Sequence, residues 1–231
     1  SKLYGEGTIT LPAGTTEVSY YAVAWKGNPT KLEFSIAGNV VATQEVAAND
    51  GASGVGVLME IARLMKETPT NVGVDIILFD LEDYGAPYYL NLMTNDDWAL
   101  GSQYWSKNPH IYNYKAYFGI LLDMVGASNP RFPKEYYSQQ FAPALSNDVW
   151  RIAREIGYSD YFTNELGHPI NDDHIYVNVH ARIPMIDIIH LENNSESSFY
   201  PYWHTVKDNI EQIDPKTLGM VGDVVVNVIY R

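Results

Sequence analysis

Val74-Asp75-Ile76-Ile77-Leu78-Phe79 is an almost unbroken apolar run rich in β-branched residues, followed at once by Asp80, Glu82 and Asp83. A continuous run of this length predicts a strand buried on both faces, as in parallel sheets. Residues 117–122 and 184–189 read the same way. Between them lie helical stretches. The clearest covers residues 149–156, with Ser146 as its predicted N-cap and Gly157 as its stop. Asp214 and Pro215 open a final helix through Leu218, Val221, Val225 and Val228. Strands alternating with helices predict an α/β three-layer sandwich, a central mixed and mostly parallel sheet flanked by helices.

Upstream of the opening run, residues 54–65 carry Val55, Leu58, Met59, Ala62 and Met65, which predicts a helix beginning directly after Asp50. Residues 1–47 differ in texture. Apolar and polar residues alternate there, broken by Pro12, Gly14, Gly27, Pro29 and Gly38, which predicts several short antiparallel strands. At 231 residues the chain suits one domain, residues 1–231, with residues 1–47 as an atypical β-rich segment. Residues 84–101 have no clear period and are expected to loop over the site.

The formal charge is −13, from 15 Lys and Arg against 28 Asp and Glu. Phosphate binding needs a positive patch, so this balance argues against nucleic acid as a partner. No apolar run reaches the roughly 18 residues of a membrane span, and the first residues lack the pattern of a secretion signal. Cysteine is absent, so a metal must be held by His, Asp or Glu.

In open α/β sheets ligands sit beyond the C-terminal strand ends. The polar residues near such ends are Asp80, Glu82 and Asp83, then Asp123, then Asp172, Asp173 and His174 ahead of residues 184–189, and His204 well after them. Asp50 joins from the turn before the first helix. Taken singly, each acid reads equally as a helix cap or a solvated charge, and His110, His168, His180 and His190 read as packed or surface residues rather than ligands. Together, several carboxylates converging on one crevice repel one another unless a cation relieves them, and Zn²⁺ with Asp and His ligands does so.

In this order, Ala48-Asn49-Asp50-Gly51-Ala52-Ser53-Gly54, Phe79-Asp80-Leu81-Glu82-Asp83, Leu122-Asp123-Met124-Val125-Gly126, Asp172-Asp173-His174 and Trp203-His204-Thr205 resemble the zinc aminopeptidase superfamily. Within it they look most like the glutaminyl-peptide cyclotransferases of animal type and their Bacteroidetes-like bacterial counterparts. The resemblance implies one zinc held by Asp50, Asp83 and His204, and Glu82 as general acid/base. It also implies Asp123 and Asp172 as hydrogen-bonding catalytic acids, with Trp203 and Phe199 in the substrate pocket. Asp187 falls where the animal enzymes carry a His of the substrate site. The implied reaction converts the N-terminal Gln of a peptide to pyroglutamate with release of ammonia, by a monomer in the periplasm or secreted.

Two other readings stand beside it. An aminopeptidase of the same fold commonly holds a second zinc through an early His-x-Asp motif, whose positions fall here on Ala24 and Lys26. An inactive metal-binding homologue is the other, although an intact Glu82 beside intact ligand positions argues against it.

Overall fold

In the computed structural model, the structure describes residues 31–36, 39–45, 48–82, 94, 97–193, 198–205 and 207–231, the first two ranges as backbone only. The chain alternates strands and helices. β1 (Lys31–Ile36) and β2 (Asn39–Glu45) form an antiparallel pair, as expected of this segment, while residues 1–30 lie outside the described residues. Then come α1 (Ala52–Glu67), α2 (Leu100–Lys107), β3 (Gly119–Asp123), β4 (Phe132–Lys134), α3 (Tyr136–Phe141) and α4 (Pro143–Glu155). The chain continues with β5 (Phe162–Leu166), α5 (Asp173–Tyr176), a π-helical turn (Val177–Ala181), β6 (Met185–Ile189) and α6 (Pro215–Ile229).

The layer that positions the site is the parallel pair β3 and β6, with Gly119 opposite Met185, Leu121 opposite Asp187 and Asp123 opposite Ile189. Side chains alternate across a strand. Ile186 and Ile188 of β6, with Ile120 and Leu122 of β3, enter the main core with Val57 and Ile61 of α1, Val149 and Trp150 of α4, and Val221 and Val224 of α6. The other face carries Leu121 and Met185, packed with Val177 and Trp105. Asp123 and Asp187 occupy that second face by the same alternation, which α5 covers. Helices on both sides of a parallel sheet make the predicted three-layer α/β sandwich. Each fully buried aliphatic or aromatic side chain of the main core contributes about 1.5–3 kcal/mol, and Trp150 also donates its indole N–H to Phe132 O at 3.0 Å.

Three local expectations are corrected. Residues 74–79 pair with no strand among the described residues, and Ile76 and Leu78 are exposed. An apolar run is seen as a strand only where a described segment completes its ladder, and residues 1–30 and 83–93 lie outside the described residues. The buried face of α1 is Ser53, Gly54, Val57 and Ile61, while Met59 is exposed. Small residues decide this: a Cβ on Gly54 would lie 2.2 Å from Leu122 O, so the helix crosses β3 where hydropathy alone puts nothing. Ser146 is not a cap but a buried residue inside α4, accepting from Gln139 Nε2 at 2.6 Å, and Pro143 begins the helix. Gly157, at φ 99°, and Asp214, whose carboxylate accepts from Lys216 N, stop α4 and open α6 as expected.

The π-helical turn joins α5 to β6. Asn178 fixes it, donating to His174 O and Met185 O at 2.8 Å each and accepting from Met185 N at 3.1 Å. Arg182, at φ 57°, ends it.

Candidate metal and catalytic site

Asp50 lies in the turn 48–50 ahead of α1. Its backbone N–H donates to Asp208 Oδ2 at 2.9 Å, so side chain and turn are oriented together. The neighbouring Asn49 turns inward and accepts from Gly126 N and Ala127 N at 2.7 and 2.9 Å, tying this turn to the segment after β3. His204 lies in the turn 201–204 at φ 54°, a left-handed conformation uncommon for a residue with a side chain. Such strain is held only where surrounding structure imposes it. His204 Nε2 lies 3.5 Å from Asp50 Oδ2. Zinc bonds of about 2.0–2.2 Å put adjacent tetrahedral ligand atoms roughly 3.3–3.6 Å apart, so these two donors fit one zinc ion. The third expected ligand, Asp83, lies outside the described residues.

Aromatic rings enclose His204. Trp203 stacks on it at 3.8 Å between centroids, Trp98 faces it at 6.4 Å with an 18° interplanar angle, and Phe199 packs on Trp203 at 4.4 Å. Of the expected loop 84–101, residues 84–93, 95 and 96 lie outside the described residues; Trp98 is the part that meets the site. Glu82 is half-buried, and its carbonyl accepts from Ala99 N at 2.8 Å. Leu81, at φ 51°, precedes it.

The second face of the sheet holds a buried acidic cluster. Asp172 caps α5, accepting from Asp173 N at 2.5 Å. Ligand atoms of Asp172, His174 and Asp187 lie within 4.8 Å of one another, all three residues buried, and the group could hold a metal ion. His174 Nε2 meets Glu135 Oε2 at 3.0 Å with both side chains fully buried. Glu135 also accepts from Tyr137 N, Ser138 N, Ser138 Oγ and Ile170 N. Burial opposes its charge, but the His174 hydrogen bond and the backbone N–H groups outweigh burial and hold its carboxyl below the ordinary range.

Asp187 is the reverse case. Both carboxyl oxygens are buried without a hydrogen-bond partner. Burial first, then the charges of Asp172, Asp123, Glu135 and Asp173, push its carboxyl well above the ordinary range. A proton on Asp187 relieves this crowding as a cation would. With that proton, the neutral form is favoured in the folded chain, so its stability contribution is complete below the unfolded carboxyl value of about 3.9 and is lost as pH rises toward the folded value. Asp187→Asn is therefore expected to be more stable than the parent at pH 8, by about 1–3 kcal/mol, with the gap closing toward pH 4. Urea unfolding at both pH values tests this; an Asn variant that loses stability equally at both would mean that the carboxylate is ionised and held by a cation.

Sequence reasoning found Asp50 and His204, which the structure brings together, and Asp172 and Asp187, which it also brings together. It missed Trp98, Asp208 and Glu135. A lone Glu before a short helix carries no signal of its buried histidine partner 39 residues later. Of the histidines read as packed or surface residues, His190 is buried against Phe132 and Tyr200, while His110 and His180 are exposed, with rings beside Trp105 and Tyr176.

Residues 34–229 match the profile described as Peptidase family M28. The fold is similar to the glutaminyl cyclase of Bacteroides thetaiotaomicron, described as bound to N-acetylhistamine, at 48% identity and TM-score 0.78, covering 85% of this chain and 67% of that one. It is likewise similar to a Zn-dependent exopeptidase from Parabacteroides distasonis at 47% identity and TM-score 0.79, covering 85% and 67%. The aminopeptidase YwaD of Bacillus subtilis is 26% identical over 236 residues, 98% of this chain and 47% of that protein. The chain thus spans about half the length of this curated relative.

Proposed function

The chain belongs to peptidase family M28, and from that premise we propose that it is a zinc-dependent glutaminyl-peptide cyclotransferase. The observation that carries the reading is the Asp50–His204 pair, 3.5 Å apart at the mouth of an aromatic wall, with Glu82 next to the third expected ligand position. Asp50, Asp83 and His204 hold one zinc ion, which when bound supplies Lewis-acid polarisation of the substrate's side-chain amide carbonyl. The N-terminal amine of a glutaminyl peptide attacks its own side-chain Cδ. A C–N bond forms, the C–NH₂ bond breaks and ammonia leaves. Glu82 accepts the proton of the attacking amine and passes it to the departing ammonia, so no water is consumed. Asp123 and Asp172 hydrogen-bond in the active site and keep Glu82 and the amine in register. Trp203, Phe199 and Trp98 supply apolar walls for the substrate's first residue, and Asp187 stands at a further substrate-site position.

Ala24 and Lys26 in place of the early His-x-Asp motif favour a single metal. The aminopeptidase reading draws on the match to YwaD over 98% of this chain and 47% of that protein. Both readings make the substrates peptides with free N-termini; the cyclase reading further puts the chain in the periplasm or outside the cell, as a monomer. No helix among the described residues is long and apolar enough to cross a membrane.

Zinc content measured together with ammonia release from a glutaminyl peptide and amine release from a leucyl anilide tests this. One zinc per chain with ammonia release alone is the expected result. Two zincs with anilide cleavage would make the chain an aminopeptidase, and zinc without either activity would leave the inactive homologue.

A further inference from the structure

We infer that Asp208 is the positioning residue that sets the Asp50–His204 geometry. Three successive backbone N–H groups converge on it: Ala48 N on its carbonyl at 3.2 Å, Asn49 N on Oδ1 and Asp50 N on Oδ2, both at 2.9 Å. The residue is 1% exposed. Its own N–H donates to Thr205 O at 3.1 Å, one residue beyond His204. The two turns that carry the donors are therefore cross-tied through Asp208, its carboxylate on the Asp50 turn and its backbone N–H on Thr205 beside His204.

A carboxylate is required because adjacent N–H groups need two acceptors, one on each oxygen. An amide at position 208 supplies one acceptor and turns an NH₂ toward the other N–H. Partners that orient ligands in this way change metal affinity by about 10–100-fold when lost.

This inference rests on the zinc reading above, and its test separates the two. Zinc dissociation constants are measured by chelator competition for the parent, Asp50→Asn, Asp208→Asn and Val221→Ala. Val221 is a fully buried core residue of α6, so its truncation lowers stability without touching either turn. The expected result is a 10–100-fold weaker Asp208→Asn, an unchanged Val221→Ala, and faster hydrogen exchange of the Asn49 and Asp50 amides in metal-free Asp208→Asn. A parent that binds no zinc, or an Asp50→Asn that binds as tightly as the parent, would overturn the zinc site itself. With the parent binding through Asp50, an Asp208→Asn of parental affinity, or one weakened no more than Val221→Ala, overturns the role of Asp208. If Asp208→Asn does not fold, the metal-free parent decides: unprotected Asn49 and Asp50 amides sink the inference, and protected ones uphold the clamp.

Discussion

Glu82→Gln is expected to lower ammonia release about a thousandfold while zinc content stays as in the parent. General acid/base groups contribute about 10²–10⁴-fold. Gln keeps the size and the polar oxygen of Glu but neither takes up nor returns a proton at neutral pH. The backbone supports this choice of probe. Glu82 O accepts from Ala99 N, and the carbonyls of Leu81 and Asp80 accept from Leu100 N and Gly101 N, so residues 80–82 are docked against 99–101 independently of the Glu82 side chain. Loss of turnover can then be assigned to the proton rather than to a displaced loop. The measurement is kcat by ammonia assay beside elemental analysis of the same sample. A variant that turns over at the parental rate would remove Glu82 as the base; one that loses zinc would make it a ligand.

Replacement of Glu135 produces the largest stability loss expected in this chain. Its two oxygens receive five donors, Tyr137 N and Ile170 N on Oε1, and Ser138 N, Ser138 Oγ and His174 Nε2 on Oε2. Glu135→Gln presents an NH₂ to two or three of them, and Glu135→Ala leaves all five unmet. Leaving a buried hydrogen-bond donor without its acceptor costs about 1–3 kcal/mol for each group. Because the folded chain holds this carboxyl below its ordinary value, its contribution is present above the unfolded value of about 4.3 and is lost as pH falls through the folded value. Denaturant unfolding is expected to show the full gap between parent and variant at pH 7 and a narrowing gap below about pH 4. A loss under about 1 kcal/mol at pH 7 would show that the pair adds little.

Much of this architecture is legible in the sequence because its signals are local. Residues 117–122 and 184–189 announce β3 and β6 by composition, and Asp214-Pro215 announces α6 by its cap. Residues 74–79 carry the same composition but pair with no strand among the described residues, since composition reports what a strand would bury and not which segment lies beside it. The site divides in the same way. Asp50 and His204 stand in recognisable strings of residues, whereas the Glu135–His174 pair and the Asp208 clamp are made by distant segments meeting, and hydropathy contains nothing of either. Trp98 lies in an aperiodic stretch, where a single aromatic side chain reads as ordinary surface until a ring is found facing it.

The π-helical turn Val177–Ala181 makes chain length itself a determinant here. An i→i+5 turn holds one residue more than an α turn. Asp187 is fixed by its strand register opposite Leu121, while Asp172 and His174 hang on the helical side of that turn. Deleting one residue of 177–181 would leave an α turn in its place, and the Asn178 bonds to His174 O, Met185 O and Met185 N that join helix to strand would have to be remade. The spacing of Asp172 and His174 from Asp187 is thus held by the length of this turn as well as by the side chains of the cluster.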